Sequence, residues 1–310
     1  MIVSLTINPA IDRNVSADQL VFEDRSYIID THESAGGRGV NASCVIHSFG
    51  GKTLAIAPLG GESGKRMLEL LGHSGFPFHT VPIRQDIRTN LTITDKQGLT
   101  IKLNEKGPLL EPEEVAAVKQ SVIEHLNGAS WLMLCGSVPP GVAANFYAEL
   151  IHAAQSRGVK TLLDTDGDPL LHGMEANPAV VIPNQPEAER LLNRALITRH
   201  HFREAAVRIQ AMGAEFAIVT LGAKGAVASD GKRFLEVVPP RVDAVCPIGA
   251  GDALAAAFVW ARSSGADFAE AVRWGVAAGT ASARLPGLLF ASLDQTRSVY
   301  DKVELREVLL

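Results

Sequence analysis

Short apolar runs recur along the chain at Ile2 to Ile7, Leu54 to Ala57, Trp131 to Cys135, Thr161 to Leu163, Ala179 to Ile182 and Phe216 to Thr220. Runs of this length without alternation predict strands buried on both faces. Between most of them lie stretches of helical periodicity, among them Pro112 to Leu126, Ala143 to Arg157 and Phe202 to Met212. Strands alternating with helices imply parallel pairing, so the expected core is a doubly wound, mainly parallel α/β sheet flanked by helices. From about Gly249 onward the pattern is helical, over Asp252 to Arg262, Phe268 to Leu285 and Leu293 to Val303.

Two early segments break this rhythm. In Asn90 to Thr94 and Leu99 to Leu103 apolar and polar residues alternate, and Asp95-Lys96-Gln97-Gly98 between them is a turn sequence. This predicts an antiparallel hairpin with one wet face. Residues Ile11 to Thr31 also mix strand-like and polar positions, so the two segments together predict a small β-sheet standing off the core as a lid or a dimerisation surface. The division expected is a core of residues 1–10, 33–83 and 105–310 and a lid of residues 11–32 and 84–104.

Composition narrows the partners. The 310 residues are 46% hydrophobic and 20% charged, the balance of a soluble globular chain, and the net charge of −5 gives no reason to expect nucleic acid or an anionic membrane. The apolar start is too short for a signal peptide and lacks a basic flank, and no apolar run is long enough to span a bilayer. Three widely spaced cysteines, Cys44, Cys135 and Cys246, fit reduced thiols in a cytoplasmic protein. The nine histidines show no metal-ligand spacing.

Four glycine clusters are candidates for cradling phosphate. Gly51-Lys52-Thr53 and Gly64-Lys65 lack the glycine or hydroxyl spacing of a P-loop. Gly37-Arg38-Gly39-Val40-Asn41-Ala42, with Glu62 downstream, matches a dinucleotide pattern, but polar His32 to Ala35 precedes it where that pattern needs a buried strand. Either a ligand-approaching helix start or a plain tight turn fits it. Gly249-Ala250-Gly251-Asp252 is the most informative: glycines at a helix start leave N–H groups open to anionic oxygens, and Asp252 lies beside them in the first turn. Phosphoryl transfer needs charge neutralised and a hydroxyl oriented, and this arrangement supplies both. A carboxylate there is expected to stay ionised; the alternative use of such an aspartate is simply to cap the helix.

With these residues in view, the chain resembles the PfkB branch of the ribokinase-like carbohydrate kinases, nearest to 1-phosphofructokinases, the minor 6-phosphofructokinase and tagatose-6-phosphate kinases. Six blocks in order carry the resemblance: Thr6 to Asp12, Gly36 to Asn41, Gly136 to Gly141, Pro183 to Glu187, Thr220 to Gly225 and Gly249 to Asp252.

The resemblance implies a ribokinase-like fold and ATP-dependent phosphorylation of a ketohexose monophosphate with Mg2+. Asp252 is implied as general base, with Gly249, Ala250 and Gly251 as the anion hole. Asp12, the Gly37-Arg38-Gly39 backbone and Asn41 are implied to hold sugar hydroxyls. Arg88, Ser137 and, from a neighbouring subunit's lid, Arg25 are implied for the substrate phosphate. Asn184, Thr220, Gly222 and Gly225, with Gly251, are implied on the nucleotide side, and Glu187 is implied to hold magnesium through water. A homodimer through the lid follows from the same resemblance. Each residue also has a plainer use: Asp12 and Ser137 as turn residues, Arg88 as a rim charge, Asn184 and Glu187 as a helix capping box, and Gly222 and Gly225 as hairpin glycines. The sequence departs from the family pattern at Arg38, which replaces lysine, at Ile182, where lysine often precedes Pro-Asn, and at Pro247, where threonine is common. Two other readings stay open: a kinase of an unphosphorylated sugar or nucleoside, and a weakly active sugar-phosphate sensor with the same fold.

Overall fold

Strands that are apolar on both faces need cover on both faces, and every residue of Ile2–Leu5 and of Trp131–Cys135 is buried. The computed structural model describes residues 1–21 and 23–309. Phe22, in the expected lid segment, and Leu310, at the end of the expected core, lie outside the described residues.

In chain order the elements begin with β1 (Ile2–Leu5), β2 (Ala10–Ala17), β3 (Ile28–Gly36), α1 (Arg38–Ser48), β4 (Thr53–Leu59), α2 (Gly61–Gly72) and β5 (Phe78–Pro82). They continue with β6 (Arg88–Asp95), β7 (Thr100–Asn104), α3 (Pro112–His125), β8 (Trp131–Cys135), α4 (Phe146–Gln155), β9 (Lys160–Asp164) and α5 (Gly167–Glu175). Then come β10 (Val180–Val181), α6 (Gln185–Leu192), α7 (Arg199–Ala211), β11 (Phe216–Thr220), β12 (Ala226–Ser229) and β13 (Arg233–Val238). The last are α8 (Ala250–Ser263), α9 (Phe268–Ser282), α10 (Leu293–Tyr300) and β14 (Glu304–Leu309).

The main sheet has the order β14-β13-β12-β11-β10-β9-β8-β1-β4-β5, parallel from β11 to β5 and antiparallel at β12 to β14. Alternate residues of one strand serve opposite layers. Leu132 and Leu134 pack with α2 to α7, whereas Trp131, Met133 and Cys135 pack with α1 and α8 to α10. The wholly helical ending expected after Gly249 is corrected by β14, which pairs along β13; its mixture of charged and apolar residues suits an edge strand, and the preceding helices stop earlier, at Ser282 and Tyr300.

The small sheet has the order β3-β2-β6-β7, with β2 and β6 parallel and the other pairs antiparallel. The expected hairpin is β6 and β7. The polar stretch His32 to Ala35 before the Gly37 block lies in β3, an edge strand of this sheet, and Glu62 lies in α2, so the dinucleotide arrangement is absent.

Strand order reverses at β1, which leads on to β4 on one side and has β8 on the other. A crevice opens beyond the carboxyl ends of strands at such a switch point. Asn8, Ser137, Asp164 and Asn184 all follow or end strands at that edge, as does Thr220.

Candidate active site

Helix α8 begins from Gly249, whose φ of 79° lies in the left-handed region. The turn leaves the N–H groups of Gly251 and Asp252 without a protein acceptor among the described residues. The N–H of Ala250 donates to the Pro247 carbonyl at 3.3 Å, so the expected amide hole loses that member.

Asp252 sits part-buried in the first turn of α8. Burial, then the negative charge of Asp164, push its pKa up to about 7, against the lowering effects of the Asn41 amide and Arg38. The sequence-based expectation of a carboxylate that stays ionised therefore holds only on the alkaline side of about 7. Desolvation outweighs the Asn41 hydrogen bond and the Arg38 charge, and the Asp252 carboxyl is held near neutrality.

Asn41 stands in the first turns of α1 and donates Nδ2 to Asp252 Oδ2 at 2.7 Å. The N-termini of α1 and α8 thus converge on one spot, where both dipoles favour negative charge. Gly37 is the N-cap of α1, and Arg38 projects from the first turn. Its Nη1 donates to Asp164 Oδ1 at 2.8 Å, and its Nη2 lies 3.5 Å from Glu187 Oε1. These carboxylates hold the Arg38 guanidinium firmly charged, Asp164 foremost.

Asp164 was not singled out in the sequence. Its one signal is a carboxylate ending an apolar run, at the carboxyl edge of β9. Asn184 and Glu187 do form a capping box, with Glu187 N–H on Asn184 Oδ1 at 3.0 Å and Asn184 N–H on Glu187 Oε2 at 2.8 Å. That plainer use leaves Oε1 of Glu187 turned toward Arg38, and burial raises the Glu187 pKa.

On the small-sheet side, Asp12 is a strand residue of β2 rather than a turn residue. In the β2–β6 register it is opposite Asn90, whose Nδ2 donates to Asp12 Oδ1 at 2.8 Å. Burial raises the Asp12 pKa against that donor and Arg88. Arg88, at the start of β6, is half-buried rather than a rim charge and donates Nη1 to the Glu105 carbonyl at 3.2 Å. Desolvation is also the largest influence on its pKa, which is lowered. Ser137 follows Gly136 at the end of β8 and accepts from Asn8 Nδ2 at 3.2 Å. The buried atoms Asn8 Oδ1, Asn41 Oδ1, Asn90 Oδ1 and Arg88 Nε have no partner among the described residues, a concentration of unused hydrogen-bonding capacity around this crevice. Arg25 is exposed in the segment between β2 and β3.

Beyond the first turn of α8 lies a cleft of about 1070 Å³ lined by Asn184, Thr220, Gly222, Gly225 and Gly251, so the residues expected on the nucleotide side come together. The hairpin alternative for Gly222 and Gly225 is also realised, since they bracket a tight turn between β11 and β12. Three cations at the same cleft, Arg241, Arg284 and Lys302, were missed by sequence reasoning, because the segments that carry them are distant in the chain.

Residues 1–295 match the model of the pfkB family carbohydrate kinases. The chain belongs to the pfkB family of carbohydrate kinases. Among relatives, it is 33% identical to ATP-dependent 6-phosphofructokinase isozyme 2 of Escherichia coli, over 96% of this chain and 97% of the other. It is 30% identical to 1-phosphofructokinase of Borreliella burgdorferi, covering 91% and 92% of the two. Among solved structures, phosphofructokinase-2 of Escherichia coli in complex with substrates and products superposes with a TM-score of 0.91 at 32% identity, over 97% and 98% of the chains. Arabidopsis thaliana ribokinase, 19% identical with a TM-score of 0.78 over 96% and 98% of the chains, shares the ribokinase-like fold.

For this pfkB carbohydrate kinase the departures from the family pattern take physical form. Ile182 is 4% exposed in the layer beneath α8, so it adds apolar packing where a cation was expected. Pro247 offers only its carbonyl, which Ala250 uses.

Proposed function

We propose that the chain transfers the γ-phosphoryl group of ATP to a free hydroxyl of a ketohexose monophosphate, giving the bisphosphate and ADP. Fructose 1-phosphate, fructose 6-phosphate and tagatose 6-phosphate are the substrates in view. The observation that carries this reading is the convergence of two helix N-termini on Asp252 and Asn41, between a nucleotide-sized cleft and a polar crevice containing Arg88.

In this reading the hydroxyl oxygen attacks the γ-phosphorus, its bond to the leaving ADP oxygen breaks, and Asp252 takes the hydroxyl proton. The open amides of Gly251 and Asp252, at the Gly249 to Gly251 edge, face the transferring group, where preorganised donors count most. Asn184, Thr220, Gly222 and Gly225 flank the nucleotide. Asp12, the Gly37 to Gly39 backbone and Asn41 orient the sugar, and Arg88 and Ser137 take its phosphate, the first through a planar fork suited to it.

Magnesium fits the donor set. Glu187 and Asp164 are buried carboxylates, hard oxygen donors of the kind that hold this ion with its waters retained. Among the described residues no group of three or more His, Cys, Asp or Glu is placed to hold a metal ion directly. The ion would supply neutralisation of phosphate charge.

We further propose that residues 11–32 and 84–104 act as a lid and as the interface of a homodimer. Ile28, 68% exposed, together with Tyr27, Ile29, Leu99 and Leu103, leaves apolar surface of this sheet uncovered in one chain, and a second copy would cover it and could bring Arg25 to the phosphate. The three free cysteines support a cytoplasmic setting, and among the described residues no helix is long and apolar enough to cross a membrane.

An ADP-release assay over ketose and aldose monophosphates tests the assignment. At least one ketohexose monophosphate should be used at least about tenfold better than the same sugar without its phosphate. Equal use of fructose with and without phosphate would overturn it.

A further inference from the structure

Asn8 follows β1 at the switch point, 2% exposed. Both hydrogens of its side-chain amide are spent: Nδ2 donates to the Lys106 carbonyl at 3.0 Å and to Ser137 Oγ at 3.2 Å. A carbonyl can only accept, so the contact with Lys106 fixes which end of the amide is nitrogen. The oxygen end faces Gly107, where a Cβ would come within 2.2 Å of Oδ1; Gly107 also has a φ of 101°, so two constraints keep a side chain away from it.

Two consequences follow for Ser137. An amide N–H cannot accept, so the Ser137 oxygen is the acceptor in this contact and its own proton must point elsewhere. In addition, two consecutive carbonyls of the segment leaving the small sheet are gripped from the site, Glu105 by Arg88 Nη1 at 3.2 Å and Lys106 by Asn8. Arg88 and Ser137 are therefore yoked through residues 105 and 106.

We propose that Asn8 is a positioning residue for the substrate phosphate, turning the Ser137 hydroxyl into a donor toward the crevice and holding it at a fixed spacing from Arg88. This rests on the reading of Ser137 and Arg88 as the phosphate ligands. Asn8 touches no reacting atom, so its contribution should fall on substrate affinity and act through Ser137.

The test is a double-mutant cycle of Asn8→Ala and Ser137→Ala, with the KM for the preferred sugar phosphate, the KM for ATP and kcat measured in each member. Asn8→Ala is expected to raise the sugar-phosphate KM about fivefold, the loss of one oriented hydrogen bond, with kcat and the ATP KM within about twofold. In the Ser137→Ala background the same change should add less than about twofold. An equal rise in both backgrounds, or a loss falling on kcat or on ATP, overturns the positioning role while leaving Ser137 as a ligand. An unchanged sugar-phosphate KM in Ser137→Ala alone overturns the phosphate assignment of Ser137 itself, and the inference with it. Asn8→Ser, smaller but still polar, takes the place of Asn8→Ala in the cycle if the alanine variant does not fold, with the same expectations.

Discussion

The side-chain amide of Asn41 donates to Asp252 Oδ2 at 2.7 Å, joining the first turns of two helices whose sequences lie more than two hundred residues apart. The contact favours the ionised carboxylate, whereas burial and Asp164 favour the neutral one. The balance places the proposed base near neutrality.

A pH profile reads this balance. If Asp252 must be ionised to accept a proton, kcat/KM should fall on the acid side of about pH 7. Asn41→Ala removes a donor to the charged form, so the acid limb should move to higher pH. The variant should lose more activity at about pH 6.5 than at about pH 8.5 relative to the wild type. A uniform loss at all pH values would separate Asn41 from the titration of Asp252.

Stability carries the same signature with a definite sign. The Asp252 pKa is raised from its ordinary 3.8 to about 7 on folding, so the folded state binds this proton more tightly than the unfolded one. Its contribution is fully present below the ordinary value and is lost as pH rises through 7. At about pH 8 the desolvated charge works against folding. Asp252→Asn removes that charge with little change of shape, and thermal unfolding should show a higher midpoint than the wild type at about pH 8. The gain should vanish at about pH 4 and below.

Arg88 separates affinity from turnover. It is half-buried, anchored by one nitrogen to the Glu105 carbonyl, and its Nε has no partner among the described residues. Arg88→Ala should raise the KM for the sugar phosphate about tenfold or more, the loss expected for a charge-assisted contact. The KM for ATP should stay within about twofold. Steady-state kinetics with each substrate varied in turn measures the split.

Much of this arrangement was legible in the residues because burial and motif spacing are local properties. The runs Trp131 to Cys135 and Phe216 to Thr220 are strands at those same bounds, since a strand covered on both faces is apolar throughout. Strands β13 and β14 were not legible: Arg233, Glu236, Arg306 and Glu307 interrupt them, as an antiparallel sheet margin permits. Strand β10 is formally only two residues long, and its flanking apolar residues made it visible as part of a longer run. In the site, Asp252 stood out because glycines and a carboxylate are adjacent in sequence. Asp164, Asn8 and Asn90 did not, because each draws its significance from a partner on another element: Arg38, Ser137 and Asp12 respectively. Such pairings depend on which strands the fold sets side by side.

Asp252 is the proposed base of this ATP-dependent sugar-phosphate kinase. The most direct measurement is kcat for ADP formation by the wild type and by Asp252→Asn with the preferred ketohexose monophosphate, with substrate binding verified separately in the variant. A fall in kcat of at least about a hundredfold, with the sugar phosphate still bound, is the predicted result. A variant that retains wild-type kcat, or one whose activity is lost only through failure to bind the sugar phosphate, would contradict the account.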